Sequence, residues 1–457
     1  MLSRQIIEIQ RKMITMRLKS ANYLHGTIAL PGDKSISHRA AMLSALARGV
    51  TKIENFATSA DCASTLSCLE KLGVGINREG NTVYLEGVGK RGFRAPLEDL
   101  DCGNSGSTMR LLAGILAGQN FLSRLTGDES LSRRPMKRII EPLEMMNAEI
   151  VSRENRAPLE IHGSSLLTGI TYESRVASAQ VKSCVILAGL FADGKTKILN
   201  PPANFPVPTS RNHTELMLGY LGAELEEKFV ESKNGFVHEI TIDGTSELTA
   251  RDLNVPSDIS SAAFFLVAAA CLPNSELILK NVGLNPTRRG IVDVLERLGA
   301  KIEILDEREV CRELIGDLRV FGTKTLIPNG DSNRIEGDLI ANIIDEVPIL
   351  AVFGTQLENG LEIRNAEELR VKESDRIKAV VENLRRMGAQ VEEFPDGLRV
   401  ERSPLKGARV DSFGDHRIAM AFGVAGLFAS GETEIIGAEW AGVSFPGFFQ
   451  TLAELSR

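Results

Sequence analysis

The chain has no hydrophobic run of membrane-spanning length. The longest, residues 262–272, falls well short of the roughly 20 apolar residues a bilayer requires. It has no Cys-x-x-Cys pair. Its six cysteines, Cys62, Cys68, Cys102, Cys184, Cys271 and Cys311, are scattered through mostly apolar or helical contexts. That argues against a zinc site or a disulfide framework and for reduced thiols in a cytoplasmic protein. It has no excess of positive charge. The formal net charge of −7 disfavours a nucleic-acid partner, so any basic site has to be local. The opening residues, MLSRQIIEIQRKMITM, carry neither a continuous apolar core nor a small-residue cleavage site, so they do not read as a signal peptide. With Met13 and Met16 as internal starts, residues 1–16 read as an N-terminal extension. What remains is an ordinary globular balance, 43% hydrophobic and 25% charged over 457 residues, enough for two domains each with its own core.

What is present is a repeat. A polar cluster followed by an Ala/Leu/Val-rich helical stretch recurs six times: GDKSISHRAAMLSALARG, GNSGSTMRLLAGILAG, SAQVKSCVILAGLFADG, SDISSAAFFLVAAACL, IIDEVPILAVFGTQLENG and GDHRIAMAFGVAGLFASG. With Lys34, Asn104, Ser178, Asp258, Asp345 and Asp415 as markers, the gaps are 70, 74, 80, 87 and 70 residues. About 40 residues after each of the first five markers comes a second element, an amphipathic helix end passing into a strand: CLEKLGVGI, LEMMNAEIV, MLGYLGAEL, LERLGAKIEI and LRRMGAQVEE. The Gly or Asn in each suits a helix C-cap with positive φ. The tail from Phe448 to Leu455 supplies the sixth copy. Each unit reads as strand, buried helix, strand, outer helix, strand, strand. Six such units group most simply as two α/β domains of three.

The repeat starts have the chemistry of an anion site. A helix N-terminus presents unpaired N–H groups and the positive end of the helix dipole. Lys34 with Arg39, Arg110, and His416 with Arg417 place cations or an imidazole there, and Ser35, Ser37, Ser105 and Ser107 add hydroxyls. Capping accounts for the Ser and Asp residues. It does not account for Lys34 or Arg417, which the dipole disfavours; Arg110 fits either reading. The stretch Gly32-Asp33-Lys34-Ser35 lacks the glycine spacing of a P-loop. Two further clusters, LRVKESDR from Leu369 and SRRPM from Ser132, fit either a solvated face or a grip on phosphate and carboxylate.

Taken together, LPGDKSISHR, GNSGSTMR, LTGDESLSRRPM, SAQVKS, LRVKESDR and FGDHRIAM, in this order, resemble the 5-enolpyruvylshikimate-3-phosphate synthase family. SAQVKS and SRNHTE resemble its second sequence class. The resemblance runs from about Leu18 to the C-terminus. It implies two similar domains, each of three βαβαββ units around buried parallel helices, the enolpyruvyl transferase fold. The chain would cross between them near Pro31 and Pro256. That gives residues 17–31 and 256–457 to a C-terminal domain and residues 32–255 to an N-terminal one, with the substrate cleft between. The implied reaction transfers the enolpyruvyl group of phosphoenolpyruvate to the 5-hydroxyl of shikimate 3-phosphate, by a monomer with no metal or organic cofactor and no membrane or nucleic-acid partner.

By the same resemblance, Lys34, Ser35, Arg39, Ser178, Ala179, Gln180, Arg211, Asp345 and Lys372 would meet shikimate 3-phosphate. Lys34, Asn104, Gly106, Arg134, Gln180, Arg376 and Arg417 would meet phosphoenolpyruvate. Asp345 would accept the hydroxyl proton and Glu373 would move the proton at the methylene carbon, with Lys34 and His416 beside them. A carboxylate among cations stays ionised, which suits Asp345. Glu373 has to be protonated to donate, so its pKa is expected to rise on closure.

There are departures. Residues 441–446 lack a lysine that first-class members carry, Ala179 replaces a serine and Leu111 replaces a proline. Gly106 keeps the small residue beside phosphoenolpyruvate, so sensitivity to glyphosate is expected. A related enolpyruvyl transferase acting on UDP-N-acetylglucosamine uses a loop cysteine, and residues 123–134 contain none. A non-catalytic binder of phosphorylated metabolites would need neither Asp345 nor Glu373.

Overall fold

The computed structural model describes residues 14–175, 177–201, 207–208, 210–233, 235–330 and 333–456. Most of the expected N-terminal extension lies outside them. The first strand begins at Thr15 and pairs with Glu432–Ile436, so Thr15 and Met16 belong to a sheet.

Six helices are buried almost throughout: Lys34–Leu46, Gly106–Ala117, Ala179–Gly189, Ile259–Cys271, Val347–Gly354 and His416–Phe428. Their sequences explain it. They are rich in Ala, Leu, Val and Gly with no polar stripe, so no face prefers water. Close packing then selects small residues. A methyl group added at Gly114 would lie 2.3 Å from the carbonyl oxygen of Cys184 on the neighbouring helix. Six outer helices alternate with these. In Gly290–Arg297, for example, Ile291, Val292, Val294 and Leu295 are buried, whereas Asp293 and Arg297 are exposed. The outer helices end as expected from the sequence: Gly73, Asn147, Gly222, Gly299 and Gly388 all have positive φ.

Each unit folds its strands into one sheet of constant pattern. In the second unit Leu100–Asp101 runs parallel to Leu122–Thr126, which pairs antiparallel with Arg156–His162, which pairs antiparallel with Glu149–Arg153. Five sheets have four strands, and the sixth has three, closed by Thr15–Lys19. Two further sheets also take a strand from across the chain. His25–Ala29 runs parallel to Glu276–Gly283, and Leu253–Asn254 runs parallel to Arg48–Glu54. The two linkers involved lie side by side. The amide of Asp33 donates to the carbonyl of Pro256 at 2.8 Å and that of Asp258 to Pro31 at 3.0 Å.

The buried apolar residues form two clusters. One runs from Ile36 to Val255; the other joins Leu24 and Leu30 to residues from Ile259 to Leu455. The fold is thus α/β with two similar bodies of three units each. No helix among the described residues is long and apolar enough to cross a membrane.

In the fifth unit the inner helix starts at Val347, two residues after the marker Asp345, with Pro348 in its first turn, where proline is pre-organised for helix but lacks an N–H. Asp345 lies in the turn after the short helix Leu339–Ile343 and caps nothing.

Candidate active site

The N-termini of the inner helices open onto one cleft of about 420 Å³ between the two bodies. Ten Lys or Arg and eight Asp or Glu side chains line it. In a chain of net charge −7, this is a local concentration of cations. The caps are as the residue types suggest: Asp33, Ser105, Ser178, Asp258 and Asp415 each accept from a backbone N–H of the first turn. Ser37 serves the scaffold instead, accepting from the amide of Ala57.

All sixteen residues named from the sequence as site candidates line this cleft. On the side of the first body, Lys34 Nζ lies 2.9 Å from Asp61 Oδ2. Arg39 is buried and spends three of its five donors on Thr214 (2.7 Å), Ser183 (2.8 Å) and the carbonyl of Ser35 (2.9 Å). Gln180, one residue into a helix that opens with Ala179, accepts from Arg110 at 2.7 Å and donates to Ser107 at 2.9 Å. Arg134 donates to Asn104 at 2.7 Å, and Asn104 donates to Asp128 at 2.7 Å. A methyl group at Gly106 would meet Arg110 Nη1 at 2.7 Å and Arg134 Nη1 at 3.4 Å.

On the side of the second body, Asp345 gathers cations from four directions. Arg211 of the first body reaches Oδ2 at 2.8 Å, Arg376 reaches Oδ1 at 3.4 Å, and Lys372 and Arg417 stand at 3.9 Å. Burial opposes its charge, but Arg417, Arg211, Lys372 and Arg376 outweigh burial and hold it well below the usual carboxylate range. Arg376 is only 1% exposed. It also donates to Glu373 at 2.6 Å and to Asp415 at 2.7 Å. His416 is buried with no hydrogen-bond partner for Nε2 among the described residues. Burial first, then the charge of Lys34, push its pKa well below the ordinary imidazole value, so it is neutral at pH 7.

Glu373 differs from expectation. Burial raises its pKa, but the cations Arg376, then Arg134 and Lys34, lower it further, and the net shift is well below the usual range. Arg134, 3.7 Å away across the cleft, is part of the reason. The surrounding cations therefore favour the ionised form of Glu373 in this arrangement.

Asp61 and Arg288 are among the members of the cleft that the sequence reading missed. Asp61 sits in the first turn of an outer helix, where an acidic residue is ordinary, so nothing in the sequence singles it out. Arg288 lies buried between the two linkers, 3.5 Å from Asp33 and 3.3 Å from Asp258, in a turn that no repeat marks. Leu111 is buried in the core, and residues 441–446 do not line the cleft.

Comparison with known proteins agrees with this geometry. Residues 18–452 match the profile of a family described as EPSP synthase (3-phosphoshikimate 1-carboxyvinyltransferase). The 3-phosphoshikimate 1-carboxyvinyltransferase of Solibacter usitatus is 51% identical over 96% of this chain and 99% of its own length. That of Bacillus subtilis is 46% identical over 97% of this chain and 100% of its own. A solved EPSP synthase from Acinetobacter baumannii superposes with a TM-score of 0.83 at 38% identity, covering 97% of this chain and 98% of that one.

Proposed function

The chain belongs to the EPSP synthase family, and from that premise we propose how its cleft carries out the family's reaction. The enolpyruvyl group of phosphoenolpyruvate passes to the 5-hydroxyl of shikimate 3-phosphate, and phosphate leaves. This is the step of the shikimate pathway that leads toward chorismate and the aromatic amino acids.

Four anionic groups enter the cleft, a phosphate and a carboxylate from each substrate. Shikimate 3-phosphate lies against Lys34, Ser35, Arg39, Ser178, Ala179, Gln180, Arg211 and Lys372. Phosphoenolpyruvate lies against Asn104, Gly106, Arg134, Arg376 and Arg417, with Lys34 and Gln180 between the two. Asp345, kept ionised by its cations, takes the proton of the 5-hydroxyl as that oxygen bonds to C2 of phosphoenolpyruvate. Glu373 delivers a proton to C3, giving a tetrahedral ketal. Loss of a proton from C3 and of phosphate from C2 then restores the double bond. A base and an acid acting on opposite ends of one double bond is what this addition requires. The anions of the substrates draw Arg134, Arg376 and Lys34 away from Glu373, which frees its pKa to rise.

The observation that carries the reading is the pair of carboxylates, Asp345 and Glu373, both within reach of Arg376. The domain division at about residues 31 and 256 is supported by the two apolar clusters on either side of it. The reading takes a cytoplasmic monomer working without metal or organic cofactor. Phosphate release on mixing the protein with shikimate 3-phosphate and phosphoenolpyruvate tests it. No release with both substrates present, or equal release from phosphoenolpyruvate alone, sinks it.

A further inference from the structure

Five consecutive residues at the start of the outer helix His213–Tyr220 each hold a polar partner. Arg211 donates to Asp345. Asn212 accepts from Asn285 at 2.9 Å. His213 Nδ1 bonds Glu313 Oε1 at 2.7 Å. Thr214 accepts from Arg39 and shares a hydrogen bond with Ser183 at 2.6 Å. Glu215 pairs with Lys182 at 2.5 Å. The first three partners belong to the second body and the last two to the first. Barely more than one turn of backbone therefore joins the contact between the bodies to the guanidinium of Arg39.

The centre of this segment is the His213–Glu313 bond. Its side chains are 2% and 5% exposed, and Asn285 donates to the second oxygen of Glu313 at 3.0 Å. Glu313 opens the strand Glu313–Phe321, at the tip of a hairpin with Lys301–Val310. The two tip residues, Cys311 and Arg312, both have positive φ, as a tight two-residue hairpin turn requires. The tip seats on the helix at both ends, Glu313 at His213 and Arg312 beside Gly219. A buried carboxylate stripped of one partner is costly, so the tip holds its seat through that bond. Neither His213 nor Glu313 lines the cleft.

We infer that His213 and Glu313 are positioning residues for shikimate 3-phosphate. Their bond fixes the helix start against the second body, which sets Arg211 directly and Arg39 through Thr214. The inference rests on the proposed assignment of those two arginines to that substrate.

The test is steady-state kinetics with each substrate varied in turn. His213→Ala is expected to raise KM for shikimate 3-phosphate by about tenfold or more, with kcat and KM for phosphoenolpyruvate changed by less than about threefold. His213→Asn, whose side-chain N–H can stand in the place of Nδ1, recovers most of the loss although it is smaller than histidine. Combining His213→Ala with Glu313→Gln is no worse than His213→Ala alone, because both remove one interaction. An unchanged KM in His213→Ala overturns the inference, as do equal losses in the Ala and Asn variants. If His213→Ala fails to fold, Glu313→Gln alone carries the comparison, with a several-fold rise expected and no rise overturning the inference. Arg39→Lys and Arg211→Lys separate the two levels. If they leave KM for shikimate 3-phosphate unchanged, the assignment of the arginines fails. If they raise it and His213→Ala does not, the positioning role fails.

Discussion

Gly106 stands directly against Arg110: a methyl group on its α-carbon would lie 2.7 Å from Nη1 of that guanidinium. The same methyl would lie at ordinary contact distance, 3.4 Å, from Arg134 Nη1, so Arg110 is the cation that would have to shift. Gly106→Ala is expected to raise KM for phosphoenolpyruvate by about tenfold, leaving KM for shikimate 3-phosphate within about twofold. The unsubstituted protein, with this space open, is expected to lose activity to millimolar-scale glyphosate, and the Ala variant to resist it. Undiminished turnover of the unsubstituted protein under glyphosate contradicts the reading.

Asp345 and Glu373 should respond differently to pH. Asp345 is held well below the usual carboxylate range by Arg417, Arg211, Lys372 and Arg376, so its base form, and the stability its charge contributes, are present throughout neutral pH. Both are lost only as the pH falls through the depressed folded value. Asp345→Asn should lower kcat by roughly 100- to 10,000-fold with no new limb in the rate profile between about pH 5 and 8. Glu373 has to be protonated in the loaded cleft, so kcat should fall as pH rises through its pKa there. A rate–pH profile left unchanged by Glu373→Gln removes it as the acid.

Asp33 and Asp258 share one guanidinium, that of Arg288. Asp33 is held low by Arg288 despite burial. Asp258 is pushed up to about 7, first by burial and then by the charge of Asp33. A carboxyl whose folded pKa lies above its unfolded value destabilises the fold as the pH rises through that range. Asp258→Asn keeps an acceptor for the cap and removes the titration. Its unfolding temperature relative to the unsubstituted protein should therefore improve between pH 5 and pH 8. A constant difference across that range would show that Asp258 does not titrate there.

Gly299 has φ of +93°, and an added methyl group would meet the carbonyl oxygen of Ile327 at 2.3 Å. Both strain and overlap act against any side chain. Gly299→Ala should cost about 1–3 kcal/mol in denaturant unfolding, while Gly222→Ala, with open space around a similar φ, should cost less. Equal costs at the two sites would mean that the backbone angle alone decides.

The sequence was most legible where one physical demand dominates. Helices apolar all round have to be buried, and Gly or Asn after an outer helix marks a left-handed cap, so the six-unit plan could be read directly. The cations at helix starts were legible because they run against the dipole. Asp61 and Arg288 were not, since each sits where its residue type is ordinary and acquires its role only from a partner far away in the chain. The state of Glu373 depends on the summed field of Arg376 with Lys34 and Arg134 from other units, which no local pattern carries.

The borrowed strands have a consequence for how the chain can be made. The first body needs Leu253–Asn254 to complete the sheet begun at Arg48–Glu54, so its sheets are all supplied once about residue 254 has been synthesised. The second body needs His25–Ala29 beside Glu276–Gly283, and Thr15–Lys19 beside Glu432–Ile436. The earliest strands to leave the ribosome are thus among the last to find partners. Until its own partner emerges, each is an exposed strand edge on a growing chain, and Thr15–Lys19 waits for the final unit.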